Sequence, residues 1–577
     1  MAATTHTQDP MHLEPIFVNP RSPHRWVRGV NLGGWLLLER YISPFQFSIT
    51  SCHLEGDFCW YPGQASAPPE DSPEYQLCDL YACQPHLIEN VDNIVDYPID
   101  EYTLSSSFSS KETGAQWLNF HFEHFLKRED LVAIKEAGAT HVRVPVPHFM
   151  LEEPRDDEPW IAGDRWKYFV RAAKWCREIG LEMWPDLHTV PGSQNGFDNG
   201  GQYLNIPTCN GWAYSQQNIL RTVEAVKNMA HAIKRYGLDD VVTGVGLLNE
   251  PFTGCDQGIV RHYYQLGLEA VRGILGKNTA VYISDIFEAN KFNDGFWQGS
   301  SEYENTFLDS HYYHVFGERS RSLSPRGHIA YVCQKNYREA TSCCYENPPA
   351  NTKVSTGMKR MFGEWSVSYD TLVVLKLYNV TAGIAKTGIA PYFDRQIPPA
   401  RQDFLRNFAK AQMIAYEAAE VGTSAGWFYW TFKMEGGVFA EWDFLRGIRE
   451  GWLPKVPPVN VSSEEFFDTT CHNLIFRTDD SMKIVKEYPD PDNLPENTWF
   501  GDEIDDDVVV SHGDSLLKGW KGSSSKNGAG LSFDSAHGIR NNIFLCAAIM
   551  FFGYAVWRVC FKGRRQRKGY TELEQTN

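Results

Sequence analysis

The chain has 577 residues, 42% of them hydrophobic and 14% aromatic, with 18 Trp. That composition reads as globular and leaves room for one large domain with additions, or for two or three ordinary ones. The formal net charge of −18 argues against nucleic acid or an anionic membrane surface as a partner.

Residues 1–25 form an N-terminal extension without an apolar stretch of the signal-peptide kind. Apolar runs then recur at Trp26–Leu38, Thr140–Val146, Leu181–His188, Val241–Glu250, Ala280–Asp285, Thr306–Tyr313, Arg360–Trp365 and Ala425–Phe432. Segments of helical period precede several of them: Arg128–Ala139, Tyr168–Gly180, Gln217–Gly237 and Arg261–Gly276. Strands alternating with helices in this way predict an α/β fold, a (β/α)8 TIM barrel with inserted loops over residues 26–495. A doubly wound open sheet is the competitor. The glycines of "GVNLGGW" (Gly29–Trp35) have the wrong spacing for the phosphate loop that such a sheet usually carries.

Residues 50–110 read as a Cys-containing insertion. Cys52, Cys59, Cys78 and Cys83 punctuate a stretch rich in Pro, Gly and Asp, and Cys333, Cys343 and Cys344 fall in a second irregular stretch. Clusters of this kind predict disulfide staples made in an oxidising compartment. Zinc is the weaker reading, because no CxxC or His-paired spacing accompanies them. The sequons at Asn379 and Asn460 fit a secretory route.

Composition changes near the end. An acidic and Gly/Ser-rich linker (496–542) leads to the apolar run Ile543–Trp557. We expect a single transmembrane helix over 543–561 and a basic cytosolic tail over 562–577. Arg558, Lys562, Arg564, Arg565, Arg567 and Lys568 follow the run, which places the catalytic domain outside the cytosol or in a lumen. The absence of a visible signal peptide points the other way, and the compartment stays open.

Two strands end in the same manner. "VTGVGLLNEP" (Val242–Pro251) finishes on Asn249 and Glu250, and "RMFGEWSVS" (Arg360–Ser368) carries Glu364. As fourth and seventh strands of a barrel they would face each other across the carboxyl-terminal mouth, where ligands bind. Opposed carboxyls are what glycoside hydrolysis requires. A divalent metal is the weaker reading, since no third acid or imidazole stands beside them at metal-like spacing, and no cofactor is expected.

"RGVNLGGWLLLERYISP", "HVRVPV", "DLHTVPGSQNGFDNGG", "LLNEP", "DSHYYHVF", "FGEWS" and "GWFYWTFKMEGGVFAEW" occur in the order seen in glycoside hydrolase family 5. Together they most resemble its fungal-type exo-β-1,3-glucanase branch, from about Trp26 to Trp442. The resemblance implies Glu250 as general acid/base and Glu364 as nucleophile of a retaining reaction. Asn249 would bond the sugar 2-hydroxyl, and Arg143 would keep Glu364 ionised while Glu250 holds a proton. His188, His311 and Tyr313 match positions that bond the nucleophile or the −1 sugar. Glu39, Asp198 and Asn199 match residues that grip the non-reducing-end hydroxyls. Trp430 matches the floor of the −1 subsite, and Phe197 and Phe316 match a clamp on the next sugar. "KME" (Lys433–Glu435) and the 50–110 insertion depart from the family pattern, which leaves the linkage open. The expected protein is a monomeric exo-β-glucanase acting on β-1,3-glucan. A glucosidase for another linkage or for a membrane glucolipid such as a steryl glucoside is the enzymatic alternative, and a silent glucan-binding protein the non-enzymatic one.

Overall fold

The computed structural model describes residues 26–47, 53–55, 58–60 and 98–479, apart from 109, 205, 317–322, 342–357, 370–396, 420–421 and 436–438. Eight strands, one within each apolar run, follow in chain order. They are β1 (Val27–Asn31), β2 (His141–Val146), β3 (Glu182–Leu187), β4 (Gly244–Gly246), β5 (Ala280–Ser284), β6 (Thr306–Tyr312), β7 (Lys359–Trp365) and β8 (Ser424–Tyr429). Each pairs in parallel with its chain neighbour, and β1 pairs with both β2 and β8, closing the expected barrel. Both faces of these strands are buried, which is why they read as nearly continuous apolar runs.

The barrel interior is filled by large side chains, among them Trp184, Tyr282, Phe307, Met361 and Phe428. Outside it lie the helices α1 (Glu101–Ser107), α2 (Arg128–Glu136), α3 (Arg165–Ile179), α4 (Gln216–Arg235), α5 (Gln257–Leu275) and α6 (Pro399–Glu417). Helix α4 shows the local logic. Val223, Val226, Ala230 and Ile233 recur every three or four residues and are all buried. Ser215 caps its start by accepting from the Asn218 amide at 3.3 Å. Between β5 and β6 the chain makes only 3-10 turns, at Ala289–Phe292 and Ser301–Tyr303.

The run Val241–Glu250 was expected as one long strand, yet only Gly244–Gly246 is regular. Both glycines make room for β3 and β5. A Cβ at Gly244 would lie 2.5 Å from the Trp184 ring, and one at Gly246 would lie 2.2 Å from the Asp186 carboxylate. Beyond them Leu247–Glu250 continue irregularly. The Leu247 amide donates to Tyr282 O at 3.0 Å, and the Asn249 amide to Leu187 O at 2.9 Å.

Disulfides are present as expected, with partners that the cysteine clusters did not indicate. Cys333 lies in a helical turn, Val332–Asn336, and pairs with Cys471, 138 residues away. Cys209 and Cys255 form a second bridge between the segments following β3 and β4. Neither Cys209, Cys255 nor Cys471 belongs to a sequence cluster, so spacing gave no hint of these pairs. Cys176 is a buried free thiol. In the 50–110 stretch, His53–Glu55 and Phe58–Trp60 form an antiparallel hairpin, and α1 belongs to the barrel body through its buried Glu101. Cys52, Cys78, Cys83, Cys343, Cys344 and Asn379 lie outside the described residues, as do the segments 496–542, 543–561 and 562–577 expected as linker, transmembrane helix and tail. Among the described residues no helix is long and apolar enough to cross a membrane.

Candidate active site

Strand ends build the site. Glu250 follows β4 and Glu364 stands near the end of β7, with His311 on β6 between them. His311 Nδ1 lies 2.6 Å from Glu250 Oε1 and 3.4 Å from Glu364 Oε2, while its Nε2 lies 3.2 Å from Asp309 Oδ2. Carboxylates on both ring nitrogens fit an imidazolium that donates on each side. One atom from each of Glu250, His311 and Glu364 falls within 4.8 Å of the other two. Such a trio could geometrically hold a cation, a grouping that linear spacing did not reveal. Here, however, the imidazole already stands between the carboxylates, and Arg143 supplies a fixed positive charge beside Glu364.

Arg143, fully buried on β2, organises the floor. Its Nη1 donates to Glu364 Oε1 at 2.8 Å and to Asn31 Oδ1 at 2.9 Å. Its Nη2 donates to Asn249 Oδ1 at 2.8 Å and lies 3.0 Å from Asp186 Oδ2. Asp186 also contacts His188 Nδ1 at 2.9 Å, and the His188 ring stacks on Trp430 with centroids 5.9 Å apart. Tyr313 Oη donates to Glu364 Oε2 at 2.7 Å, and its ring lies on Trp442 at 5.4 Å. Asp309 fixes the other side of the strand carrying Glu364 by accepting from the Gly363 amide at 2.6 Å. Only glycine fits at 363, since a Cβ there would stand 2.3 Å from that carboxylate.

Glu250 has a left-handed backbone, φ 44, which is uncommon for a residue with a Cβ. Asn195 Nδ2 holds its carbonyl at 3.0 Å, and Gln194 Nε2 holds the Asn249 carbonyl at 3.1 Å. Strain of this sort persists only where surrounding contacts over-determine it, as at functional sites. Asn199 Nδ2 donates to Glu250 Oε2 at 2.8 Å. Asn199 therefore touches the acid directly, whereas the resemblance placed it on the sugar hydroxyls.

Protonation in this pocket reverses the expected order. Burial pushes Glu364 above the usual carboxylate range, against the pull of His311 and Arg143 and helped by the Glu250 charge. Burial alone would raise Glu250 as well, but the hydrogen bonds from His311 and Asn199 and the His311 charge bring it below that range. Burial would lower His311, yet the charges of Glu364 and Asp309 carry it well above the imidazole range. In the sugar-free pocket these directions favour a charged imidazolium between the two carboxyls.

Glu39 lies buried in the loop after β1. Burial raises its carboxyl well above the usual range; the charges of Glu364, Asp198 and Glu250 add to the rise, while the Tyr41 hydroxyl, which donates to it, opposes it. Asp198, partly buried, is raised to about 6 by burial. At the rim Phe197 packs edge-on against Phe252 at 6.5 Å, and the exposed Phe316 packs on Tyr313 at 5.3 Å and on Trp442 at 6.1 Å. Several buried polar atoms among these residues have no protein partner: Glu39 Oε1, His188 Nε2, Asn199 Oδ1, Asn249 Nδ2, Trp430 Nε1 and Trp442 Nε1. Asn31, Asp186, Asp309 and Trp442 are supporting residues that the sequence reading did not name.

Comparison with known proteins places the chain in a family. The chain is 30% identical over 448 residues to a probable glucan 1,3-beta-glucosidase A of Aspergillus clavatus, covering 75% of this chain and 88% of the relative. The chain belongs to the fungal-type exo-β-1,3-glucanase branch of glycoside hydrolase family 5. A glucan 1,3-beta-glucosidase of Candida oleophila is 28% identical over 444 residues, with 75% and 89% covered. No protein-family model matches the chain. The crystal structure of rutinosidase from Aspergillus niger shares the fold, with a TM-score of 0.51 at 16% identity over 74% of this chain and 97% of that one. The protein is a glycoside hydrolase.

Proposed function

We propose that this enzyme removes glucose from the non-reducing ends of β-1,3-glucan with retention of configuration. The carrying observation is the Glu250–His311–Glu364 cluster, in which one carboxyl oxygen of each glutamate lies within 4.8 Å of the other. Retaining enzymes need carboxyls about 5 Å apart, with no room for an interposed water. Glu364, fixed by Arg143 and Tyr313, is the nucleophile. Glu250 is the acid/base. A glucosyl unit between the carboxyls would part Glu250 from His311, so that burial then favours the protonated carboxyl that the leaving oxygen requires. The unpartnered donors and acceptors of His188, Asn199, Asn249 and Glu39 suit a ligand whose rim is hydroxyl groups. Glu39 and Asp198 close one end of the site, which favours exo attack, and Phe197 and Phe316 offer apolar faces to the next sugar.

The apolar run Ile543–Trp557 and the basic residues after it support anchoring of the enzyme to a membrane, with the catalytic body outside the cytosol or in a lumen. Two disulfides and the exposed Asn460 sequon fit that placement. The same run favours a second reading, a glucolipid substrate such as a steryl glucoside. Assays on laminarin, gentiobiose and a steryl glucoside separate the two. NMR of the first product formed should show β-glucose, and an α-anomer would exclude double displacement.

A further inference from the structure

Arg40 directly follows Glu39 in the loop after β1, and only 4% of it is exposed. Its Nη1 is buried without a hydrogen-bond partner, and no ion pair within 4.0 Å joins the guanidinium to a carboxylate among the described residues. Three other deeply buried arginines are paired with carboxylates, and a fourth, Arg360, still donates to the Tyr312 hydroxyl at 3.1 Å. Arg28 has Glu417 and three backbone carbonyls, Arg143 has Glu364 and Asp186, and Arg165 has Glu101 and three carbonyls. Burying a guanidinium without acceptors is costly, so its survival at this position calls for an acceptor that arrives with a ligand.

Asp198 supplies the other half. Its Oδ1 accepts from the Asn199 amide at 3.0 Å, and no side chain among the described residues donates to its carboxylate. Arg40 is the cation that pulls the Asp198 carboxyl down against burial, and Asp198 is the anion that lifts Arg40, which burial lowers to about 10. The two charges therefore neighbour each other without closing into a bonded pair. A guanidinium can only donate and a carboxylate can only accept. A neutral hydroxyl does both, so it can bridge them, whereas an anionic substituent would meet Asp198 and an ammonium would meet Arg40.

We propose that Arg40 is a substrate-binding residue that, with Asp198, grips one hydroxyl of the terminal sugar at the end of the ring opposite the anomeric carbon. That end carries the 4-hydroxyl and the 6-hydroxymethyl group. This assignment rests on the glucosidase reading above, and it makes the closed end of the site a reader of hydroxyl position as well as a wall.

The test measures kcat/KM of the full-length wild type, Arg40→Met and Arg40→Lys on an aryl β-glucoside and on its 4-deoxy and 6-deoxy counterparts, with melting curves alongside. On the parent glucoside Arg40→Met should lose about tenfold or more, the factor of one charge-assisted hydrogen bond. On the deoxy substrate that lacks the bridging hydroxyl, wild type and Arg40→Met should agree within about twofold, the signature of a coupled pair. Arg40→Lys should recover part of the loss, because an ammonium keeps a donor. Equal losses on all three substrates would overturn the inference, as would no loss on the parent. A wild type that turns over none of the three would instead overturn the glucosidase reading, and this assignment with it.

Discussion

Replacing Glu364 with Ala removes the carboxylate fixed by Arg143 and Tyr313, and turnover should vanish on every glucoside. Glu250→Ala should behave differently. Loss of general acid help costs about 10²–10⁴-fold on natural leaving groups, but activated aryl glucosides need little protonation. Added azide should rescue that variant by attacking from the vacated side, giving a β-glucosyl azide visible by NMR. If Glu250→Ala is equally inactive on both substrate kinds and azide does nothing, the roles assigned to the two acids are wrong. Asp198 carries a pH consequence. Its carboxyl titrates at about 6 because burial raises it, so below that pH it is neutral, one oxygen turns from acceptor to donor, and its hold on a sugar hydroxyl weakens. The acid limb of kcat/KM should therefore include a group near 6, and Asp198→Asn should flatten that part of the profile. The stability effect has the opposite sign. A folded pKa above the unfolded value gives stability that is present in acid and lost as pH rises through about 6. Glu250 and Glu364 were legible because each ends an apolar strand, and a lone acid there stands out. Their supports were not named, although a signal exists. Asp186 precedes His188 by two residues and Asp309 precedes His311 by two, and that spacing puts each pair on one face of its strand.

At the level of elements, the strands were easier to read than their ends. Period and composition located all eight because burial on both faces makes each a compact apolar run. The irregular Leu247–Glu250 segment was invisible, since its shape comes from glycines that accommodate Trp184 and Asp186 on a strand far away in sequence. The loop after β1 was equally hidden. Its backbone is pinned by a buried ion pair, with Glu101 Oε2 accepting from the Leu38 amide at 2.9 Å and Arg165 Nε donating to Leu36 O at 2.7 Å. That pair holds the loop carrying Glu39 and Arg40, and nothing local in either α1 or α3 announces it. The Cys333–Cys471 bridge yields a prediction about stability. It ties the helix Cys471–Ile475 to the Val332–Asn336 turn across a loop of 138 residues. Cys471→Ser should cost about 2–5 kcal/mol, read as a lower midpoint in urea. Activity at 25 °C should be kept, because no residue of the site lies on either segment. A variant with an unchanged midpoint would show that the helix docks without help from the bridge.

For the whole molecule, the question is how much of the chain the chemistry needs. The barrel and its loops hold every site residue named above between Asn31 and Trp442, and the last described helix ends at Ile475. Arg28 of β1 donates to the carbonyls of Pro457, Pro458 and Val461, so the segment up to Ser463 is part of the barrel body and cannot be spared. Every barrel strand and site residue among the described residues lies before Asn497. Truncation there should leave kcat/KM on laminarin unchanged and release the enzyme from membranes, checked by assaying pellet and supernatant after high-speed centrifugation. The full chain should stay in the pellet at high salt, since an apolar helix, unlike a charged surface, is not displaced by ions. If the apolar run spans a membrane as proposed, the basic residues that trail it set the orientation. Protease added to intact cells should remove the catalytic body while sparing a tag placed after Asn577. The converse, a cleaved tag with a protected body, would put the enzyme on the cytosolic side. Wall glucan would then be out of reach, and an intracellular glucolipid would become the substrate to test first.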